Sequence, residues 1–448
     1  MVSQRKRIWG WDFFDWASQP YNTLLLTFVF GPYFAEVART HFIGTGMDAE
    51  AAGAAAQAYW GWGQTLSGVF IAILAPVLGA IADGSGKRMV WIWLFSMFYV
   101  VGSWMLWYLM PDQPDLFRAM IWFGLGLIGM EFATIFTNSL MPDLTGDEDM
   151  GKVSGSGFAF GYVGGIIALV IMLLLLAENS STGKTLIGIN PIFGLDPAAR
   201  EGTRAVGPLT AVWYIVFMIP FFLWVKEPKG KARRVNIGQS MADLWALMKS
   251  LKERQSLGAH LISSMFYRDA LNALYGFGGV YASGVLGWSV TKIGIFGIAG
   301  AISAALFSWL GGKMDSARGP KPVINLAMWV LILVCLVIAG MSRDSFFGMN
   351  FGTGSTAPDT IFYICGILIG AAGGTLQSAS RTMMVFHTTR ERSTEAFGLY
   401  ALSGKATSFI APFSIAVFTT ISGSQRMGIA VPLIALFIIG MILLKWVK

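Results

Sequence analysis

Five ionisable residues interrupt stretches that are otherwise apolar enough to sit in lipid: Asp15, Glu131, Arg268, Asp269 and Lys405. A charge at membrane depth is costly, so each is a functional candidate whose partner has to be sought. At ~1.5 Å of rise per helical residue, Arg268 and Asp269 lie roughly 18 to 20 Å into their span, Lys405 roughly 16 Å, Glu131 roughly 21 Å and Asp15 roughly 9 Å. There a guanidinium or ammonium can receive an anionic group, and a carboxylate can take up and release a proton. The static alternative pairs Arg268 with Glu131 and Lys405 with Asp269 as fixed interhelical bridges. Neighbours on a helix point about 100° apart, so Arg268 and Asp269 need separate partners. Tyr21, Asn22, Asn138, Asn272, Tyr275 and Gln377 are polar groups suited either to hydrogen-bonding a solute or to interhelical contacts. Other chemistries lack their residues. His41, His260 and His387 are too scattered for zinc, and the two cysteines, Cys335 and Cys365, lie in apolar segments. No phosphate-binding Gly-x-x-x-x-Gly-Lys-Ser/Thr loop and no nucleophile with a paired base is present, so neither an enzyme nor a cofactor is expected.

The elements that must position these groups are membrane helices. Of 448 residues 55% are hydrophobic and 13% charged, with a mean hydropathy of +0.60, more apolar side chain than soluble cores of this size can bury. Stretches of about 20 apolar residues, enough to cross a ~30 Å hydrocarbon layer, fall at 11–38, 57–83, 88–110, 117–142, 153–177 and 208–226. A second set falls at 256–284, 290–313, 320–342, 358–386, 394–421 and 426–446. The expected fold is thus all-α and integral to the membrane, with twelve transmembrane helices in two six-helix bundles: residues 1–226 and 256–448, joined by a basic linker at 227–255 that carries a surface helix near 239–252. The net charge of +7 reflects topology rather than nucleic acid. Of the 32 Lys and Arg, 21 lie on the N-terminal side of the spans and 8 on the other, which places both termini in the cytoplasm. Arg5, Lys6 and Arg7 precede the first apolar run without a cleavage site, so that helix is expected to be retained. Pro20 is expected to kink it, and Gly157, Gly161 and Gly165 form a small-residue ridge suited to close packing. The loop at 178–207, rich in Gly, Pro and Asn, carries no functional signal.

Two loops repeat one another. Gly79-Ala-Ile-Ala-Asp83-Gly-Ser-Gly86-Lys87-Arg88 follows span 2, and Gly311-Gly-Lys-Met-Asp315-Ser-Ala-Arg-Gly319-Pro-Lys321 follows span 8, with one residue inserted. A second match, at an offset of 243, pairs Ser154-Gly155 and Gly161-Tyr162 with Phe397-Gly398 and Gly404-Lys405, and Asn138 with Arg381. The halves therefore read as pseudo-symmetric duplicates. Glycine permits a tight turn and close helix approach, and Asp83 is placed to cap a helix or pair with a basic neighbour. As a gate brace the set comprises Gly79, Asp83, Gly86, Lys87, Arg88, Asp315 and Arg381. The plainer alternatives are ordinary turn residues, with Lys87 and Arg88 setting orientation only and Arg381 snorkelling to lipid phosphates.

The duplicated Gly-x-x-x-Asp-x-x-Gly-Lys-Arg signature resembles that of the major facilitator superfamily, over the whole chain. Asp15-Trp16-Ala17-Ser18 and the stretch Phe397-Gly398-Leu399-Tyr400-Ala401-Leu402-Ser403-Gly404-Lys405-Ala406-Thr407 are similar to the bacterial branch that resembles fungal autophagy-related vacuolar amino-acid effluxers. The resemblance implies a multi-pass transporter of a bacterial inner membrane, monomeric, moving a small amino-acid-like solute outward by alternating access. It also implies that spans 1, 4, 7 and 10 line a central cavity. Arg268 or Lys405 would then receive the solute's anionic group, with Tyr21, Asn22, Asn138, Asn272, Tyr275 and Gln377 around it. Asp269, Glu131 or Asp15 would exchange a coupling proton. His260 and His387 are expected to be interfacial, a proton-relay role being the alternative. Two other functions use the same residues: a protein handling lipid or lysolipid headgroups, and a solute sensor that does not transport.

Overall fold

The computed structural model describes residues 2–448 apart from 228–237, 239–241, 243–244, 247–248, 250–253, 287, 289, 353–354 and 423. The linker and its expected surface helix thus lie largely outside the described residues. The helices are α1 (Gln4–Pro20), α2 (Phe30–Gly44), α3 (Ala49–Ser85), α4 (Arg88–Met105), α5 (Leu116–Asn138), α6 (Met150–Ile171), α7 (Glu201–Arg204) and α8 (Val206–Trp224). They continue with α9 (Gln255–Gly284), α10 (Val290–Arg318), α11 (Pro320–Gly340), α12 (Ala357–Phe386), α13 (Ser393–Ala406), α14 (Ile410–Ser422) and α15 (Gln425–Leu444). A two-residue hairpin, Ser345–Phe346 with Met349–Asn350, lies between α11 and α12.

Each of the twelve apolar stretches is helical, but two are interrupted. In the first, Pro20 cannot supply a backbone N–H, and the chain continues as a π-helix, Tyr21–Phe28, before α2 begins. In the eleventh, the chain breaks between α13 and α14 at Thr407, Ser408 and Phe409. Among the described residues nine helices are long and apolar enough to cross a membrane. The spans outside that set are the first, seventh and eleventh. The two interrupted ones are among them, and the seventh carries Arg268 and Asp269.

The chain forms two compact units. One comprises Met1–Ala75, Ser85–Leu140 and Phe160–Arg234; the other comprises Pro76–Gly84, Met141–Ala159 and Val235–Lys448. The first is cored by aromatic rings, with Tyr21 against Tyr99 at 5.2 Å and Tyr99 stacked on Tyr214 at 4.0 Å. Its α1 and α6 meet where Gly161 faces Asp15, Gly164 faces Trp16 and Gly165 faces Gln19 and Thr23. The second is cored by smaller aliphatic side chains. Its α10 and α12 approach backbone to backbone, Gly300 against Gly370 and Ala304 against Gly374, the close contact that small residues at i, i+4 spacing allow between membrane helices.

Candidate functional site

The Gly79–Gly84 part of the first copy and the whole of the second lie within the second unit, each against the first turn of another helix. In the first copy the Asp83 carboxylate accepts from the backbone N–H of Thr394 at 3.2 Å and of Glu395 at 2.8 Å. It therefore caps α13, where free N–H groups and the helix dipole favour an anion. Gly79 sits one turn back on α3, so close to the Thr394 carbonyl that a Cβ would stand 2.7 Å from its oxygen. A side chain there would push the loop off the helix end. Gly86, at φ +62°, then reverses the chain in the left-handed region, as Gly319 does at φ +79° in the second copy.

The second copy meets α6. Ser316 Oγ accepts from Lys152 N–H at 2.9 Å, and Gly151 lies directly against Asp315, with Gly155 against Gly312. Here the serine does the capping, and both Asp315 carboxylate oxygens are buried without a hydrogen-bond partner among the described residues. Arg381, buried on α12, ties the same turn of α6 from the other side. Its Nε donates to Ser154 Oγ at 3.0 Å, its Nη2 to the Ser154 carbonyl at 2.6 Å, and its guanidinium lies over the Phe158 ring.

Lys87 and Arg88 lie in the first unit. Arg88 starts α4 and is nearly buried: its Nη1 donates to the Ser139 carbonyl at 2.7 Å and its Nε to Glu227 at 3.2 Å. Glu227 also accepts from the backbone N–H of Arg88 and Met89, and so caps α4. Lys87, at the cap position, is exposed. Glu227 escaped the sequence reading, although one signal was available: a lone acid at the start of a basic linker.

Of the midplane residues, Arg268 and Asp269 turn away from each other and reach the two halves of the broken eleventh span. Arg268 Nη1 donates to the Tyr400 carbonyl at 2.9 Å, and its guanidinium lies 4.0 Å over the Tyr400 ring, beside Gly404. Asp269, buried, accepts from Ala411 N–H at 2.8 Å and caps α14. Arg268, Asn272 and Tyr275, at i, i+4 and i+7, share one face of α9. Asn272 and Tyr275 are exposed on that face and Arg268 half-buried. Gln377 is half-buried on α12. Lys405 lies on α13, but its side chain is outside the described residues. The fixed bridge of Lys405 with Asp269 is therefore not among the described contacts. What the structure gives Asp269 is a backbone N–H.

In the first unit, Glu131 and Asn138 share a face of α5 with Thr134, Glu131 half-buried and Asn138 nearly buried. Asp15 and Asn22 are half-buried in the first span. Tyr21 takes the second of its two expected roles, the interhelical contact. It is fully buried and its hydroxyl donates to the Phe123 carbonyl at 2.6 Å, which makes it a tie between spans 1 and 4 instead of a solute ligand. The 178–207 loop is tied together by an ion-pair and hydrogen-bond cluster. Glu178, buried, accepts from Arg200 Nε at 2.8 Å and from the Thr203 hydroxyl and N–H, and Arg200 also reaches Glu36.

Both histidines of the second unit, His260 and His387, are packed against protein. His260 is fully buried, and His387, just beyond α12, is half-buried with its Nδ1 on the Met383 carbonyl at 2.8 Å and its Nε2 on Ser256 Oγ at 2.7 Å. Burial holds the His387 imidazole below its ordinary pKa. No three His, Cys, Asp or Glu side chains gather as a metal site among the described residues.

Comparison with known proteins identifies the family and the fold. Residues 3–448 match the family model described as vacuole effluxer Atg22 like. The chain is 26% identical over 445 residues to YxiO of Bacillus subtilis (strain 168), described as an uncharacterized MFS-type transporter, covering 98% of this chain and 94% of that one. It is 23% identical over 301 residues to autophagy-related protein 22 of Cryptococcus neoformans var. neoformans serotype D (strain JEC21), covering 64% of this chain and 48% of that one. The crystal structure of the human organic anion transporter MFSD10 superposes with a TM-score of 0.72 at 13% identity, covering 99% of this chain and all of that one. At that identity the likeness shows the fold: all-α, twelve membrane helices in two bundles.

Proposed function

Because the chain belongs to the family of effluxers like Atg22, and is accordingly a membrane transporter of the major facilitator type and not an enzyme, we propose that it exports a small amino-acid-like solute by alternating access, driven by proton entry. One observation carries the reading. The short helix α13 is held at its first turn by Asp83 and near its last turns by Arg268, so a group that competes for Arg268 acts on the same rigid element that the loop signature latches. With 14 residues, α13 spans about 20 Å at ~1.5 Å per residue.

The solute's carboxylate takes the guanidinium from the Tyr400 carbonyl. An ionised partner makes the stronger, bidentate bond, and Asn272 and Tyr275 on the same face of α9 hydrogen-bond the remainder. Losing Arg268 loosens one end of α13 and weakens the Asp83 latch at the other. Asp269 supplies the proton step: ionised it caps α14 through charge and hydrogen bond, and protonated it loses the charge–dipole part of that cap. Glu131 and Asp15 remain second candidates for the proton, and Lys405 for the anion, with Asn22, Asn138 and Gln377 around the solute. The charge bias of the loops supports a cytoplasmic latch end, with both termini on that side of a bacterial inner membrane. Two six-span halves joined through 227–255, acting as a monomer, complete the reading.

Proteoliposomes loaded with a labelled mixture of the twenty amino acids test it. An inward proton gradient should accelerate efflux, and Asp269→Asn should abolish the acceleration. Efflux indifferent to the gradient in the unaltered protein would reduce the reading to facilitated diffusion.

A further inference from the structure

His260 is fully buried on α9, and neither ring nitrogen has a hydrogen-bond partner among the described residues. Buried polar groups are nearly always partnered, so a bare imidazole asks for a reason. A phenylalanine or leucine would fill the same space and leave no nitrogen stranded. Packing alone does not account for the residue.

Its neighbours supply one. The ring lies nearly parallel to His387, with centroids 5.6 Å apart at 14°, and to Tyr400, at 5.9 Å and 10°. His387 lines a cavity of about 480 Å³, together with Ser256, Arg318, Lys321 and Lys448. At the other end, the Tyr400 hydroxyl is 2.6 Å from Ser380 Oγ, which is 2.5 Å from the Tyr267 hydroxyl. Tyr267 immediately precedes Arg268 and Asp269, and Tyr400 carries the Arg268 guanidinium on its ring. Three rings and two further hydroxyls thus run from a cavity to the turn of α9 that carries the charged pair, all within the second unit.

We propose that this column is the path of the coupling proton, with His260 its internal station; the inference rests on the proton-coupled reading above. His387 is set for the first step. With Nδ1 facing the Met383 carbonyl that nitrogen carries the hydrogen, which leaves Nε2 to accept from Ser256. A proton entering from the cavity adds to Nε2 in place of the Ser256 hydroxyl. His387 passes it to a bare nitrogen of His260 and returns to neutral. His260 then gives up a proton to the hydroxyl relay, where Tyr400, Ser380 and Tyr267 each release one proton as they receive one, and the Asp269 carboxylate, two residues on from Tyr267, is the final acceptor as it swings off the Ala411 N–H. Transfer between near-parallel rings requires His260 to turn, and the polar group beside its ring is the Ser380 backbone, next to the hydroxyl that continues the relay. The ionisable groups facing His260 are His387 at the end of α12, Tyr400 on α13 and Arg268 on its own helix. The sequence of α14 contains no ionisable residue, and that of α15 contains only Arg426, in its first turn.

The test uses the full chain in lipid nanodiscs with ¹⁵N-labelled histidine, which needs no solute. Exchange of the His260 ring proton with bulk water is followed by NMR in the unaltered protein and in His387→Gln. The path predicts exchange in the unaltered protein and slowing of at least tenfold in His387→Gln, compared above about pH 6.5, where the two proteins should share one unfolding midpoint. A His260 that does not exchange, or that exchanges equally in both, overturns the inference. Proteoliposome flux separates this failure from that of the underlying reading. If proton-driven efflux persists in His260→Phe the path is wrong while coupling stands, and if the unaltered protein moves no protons with its solute, coupling itself is wrong and the path falls with it.

Discussion

Arg268 and Asp269, neighbours on α9, grip the eleventh span on either side of its break: Arg268 through the Tyr400 carbonyl and ring in α13, Asp269 through the Ala411 N–H that opens α14. One short stretch of helix thereby senses both halves of a discontinuous span. Broken membrane helices with exposed backbone at their ends are where transporters commonly place solute and ion sites.

The two residues should separate by substitution. Asp269→Asn keeps a carbonyl acceptor for the Ala411 N–H but cannot ionise, so it should fold and exchange solute while losing response to a proton gradient. Asp269→Ala should lose the cap as well, at a cost of about 0.5 to 2 kcal/mol. Unfolding midpoints and gradient-driven efflux, measured side by side, check both. An Asn variant that still follows the gradient would move the proton site elsewhere.

At the latch, Asp83→Asn should weaken the cap of α13 by roughly 1 kcal/mol, because the amide keeps an acceptor and loses the charge that the helix dipole favours. Thr394→Cys alkylation reads this directly. The rate should rise several-fold in the Asp83→Asn background, against a quiet background from the buried Cys335 and Cys365. Gly79→Val should raise it further, since its side chain would collide with the Thr394 carbonyl.

Glu227 closes α4 with two backbone N–H groups and the Arg88 guanidinium. Glu227→Gln should destabilise the first unit by about 1 to 2 kcal/mol, since a hydrogen-bonded, poorly solvated charge loses its partner. A lowered unfolding midpoint with unaltered exchange is the expected pair of results. An unchanged midpoint would mean that solvent screens the pair more than its burial suggests.

His387 gives a pH dependence whose sign follows from its surroundings. Burial holds its folded-state pKa below the ordinary value of 6.5, so on acidification the unfolded chain binds the proton first and stability falls. The contribution is complete above about pH 6.5 and is lost as pH drops toward the folded pKa. The anchor joining His387, Ser256 and the Lys448 N–H should loosen with it. His387→Gln should flatten the unfolding midpoint over that range.

Much of this was readable in advance, for physical reasons. The twelve stretches were legible because lipid forces about 20 apolar residues into each span. The duplicated loops were legible because glycine is written into any tight reversal, and Gly86 and Gly319 do take positive φ. Partners were not legible. Thr394 lies 311 residues beyond Asp83, and nothing local marks it as the end that Asp83 caps. Residue type also says little about aim: Tyr21 has the hydroxyl a solute would want, yet spends it on the Phe123 carbonyl. The divergence of Arg268 and Asp269 follows from helix geometry, but their convergence on one span requires the break at 407–409, which the unbroken apolar pattern over 394–421 does not show.

Thermal stabilisation of the purified protein across amino acids, short peptides, organic acids, sugars and lysolipids, repeated with Arg268→Ala, tests the central claim most directly. The account predicts that solutes bearing a carboxylate and an amine stabilise the unaltered protein and lose that effect in Arg268→Ala. Stabilisation by lysolipids alone, or by amino acids equally in both proteins, would contradict it.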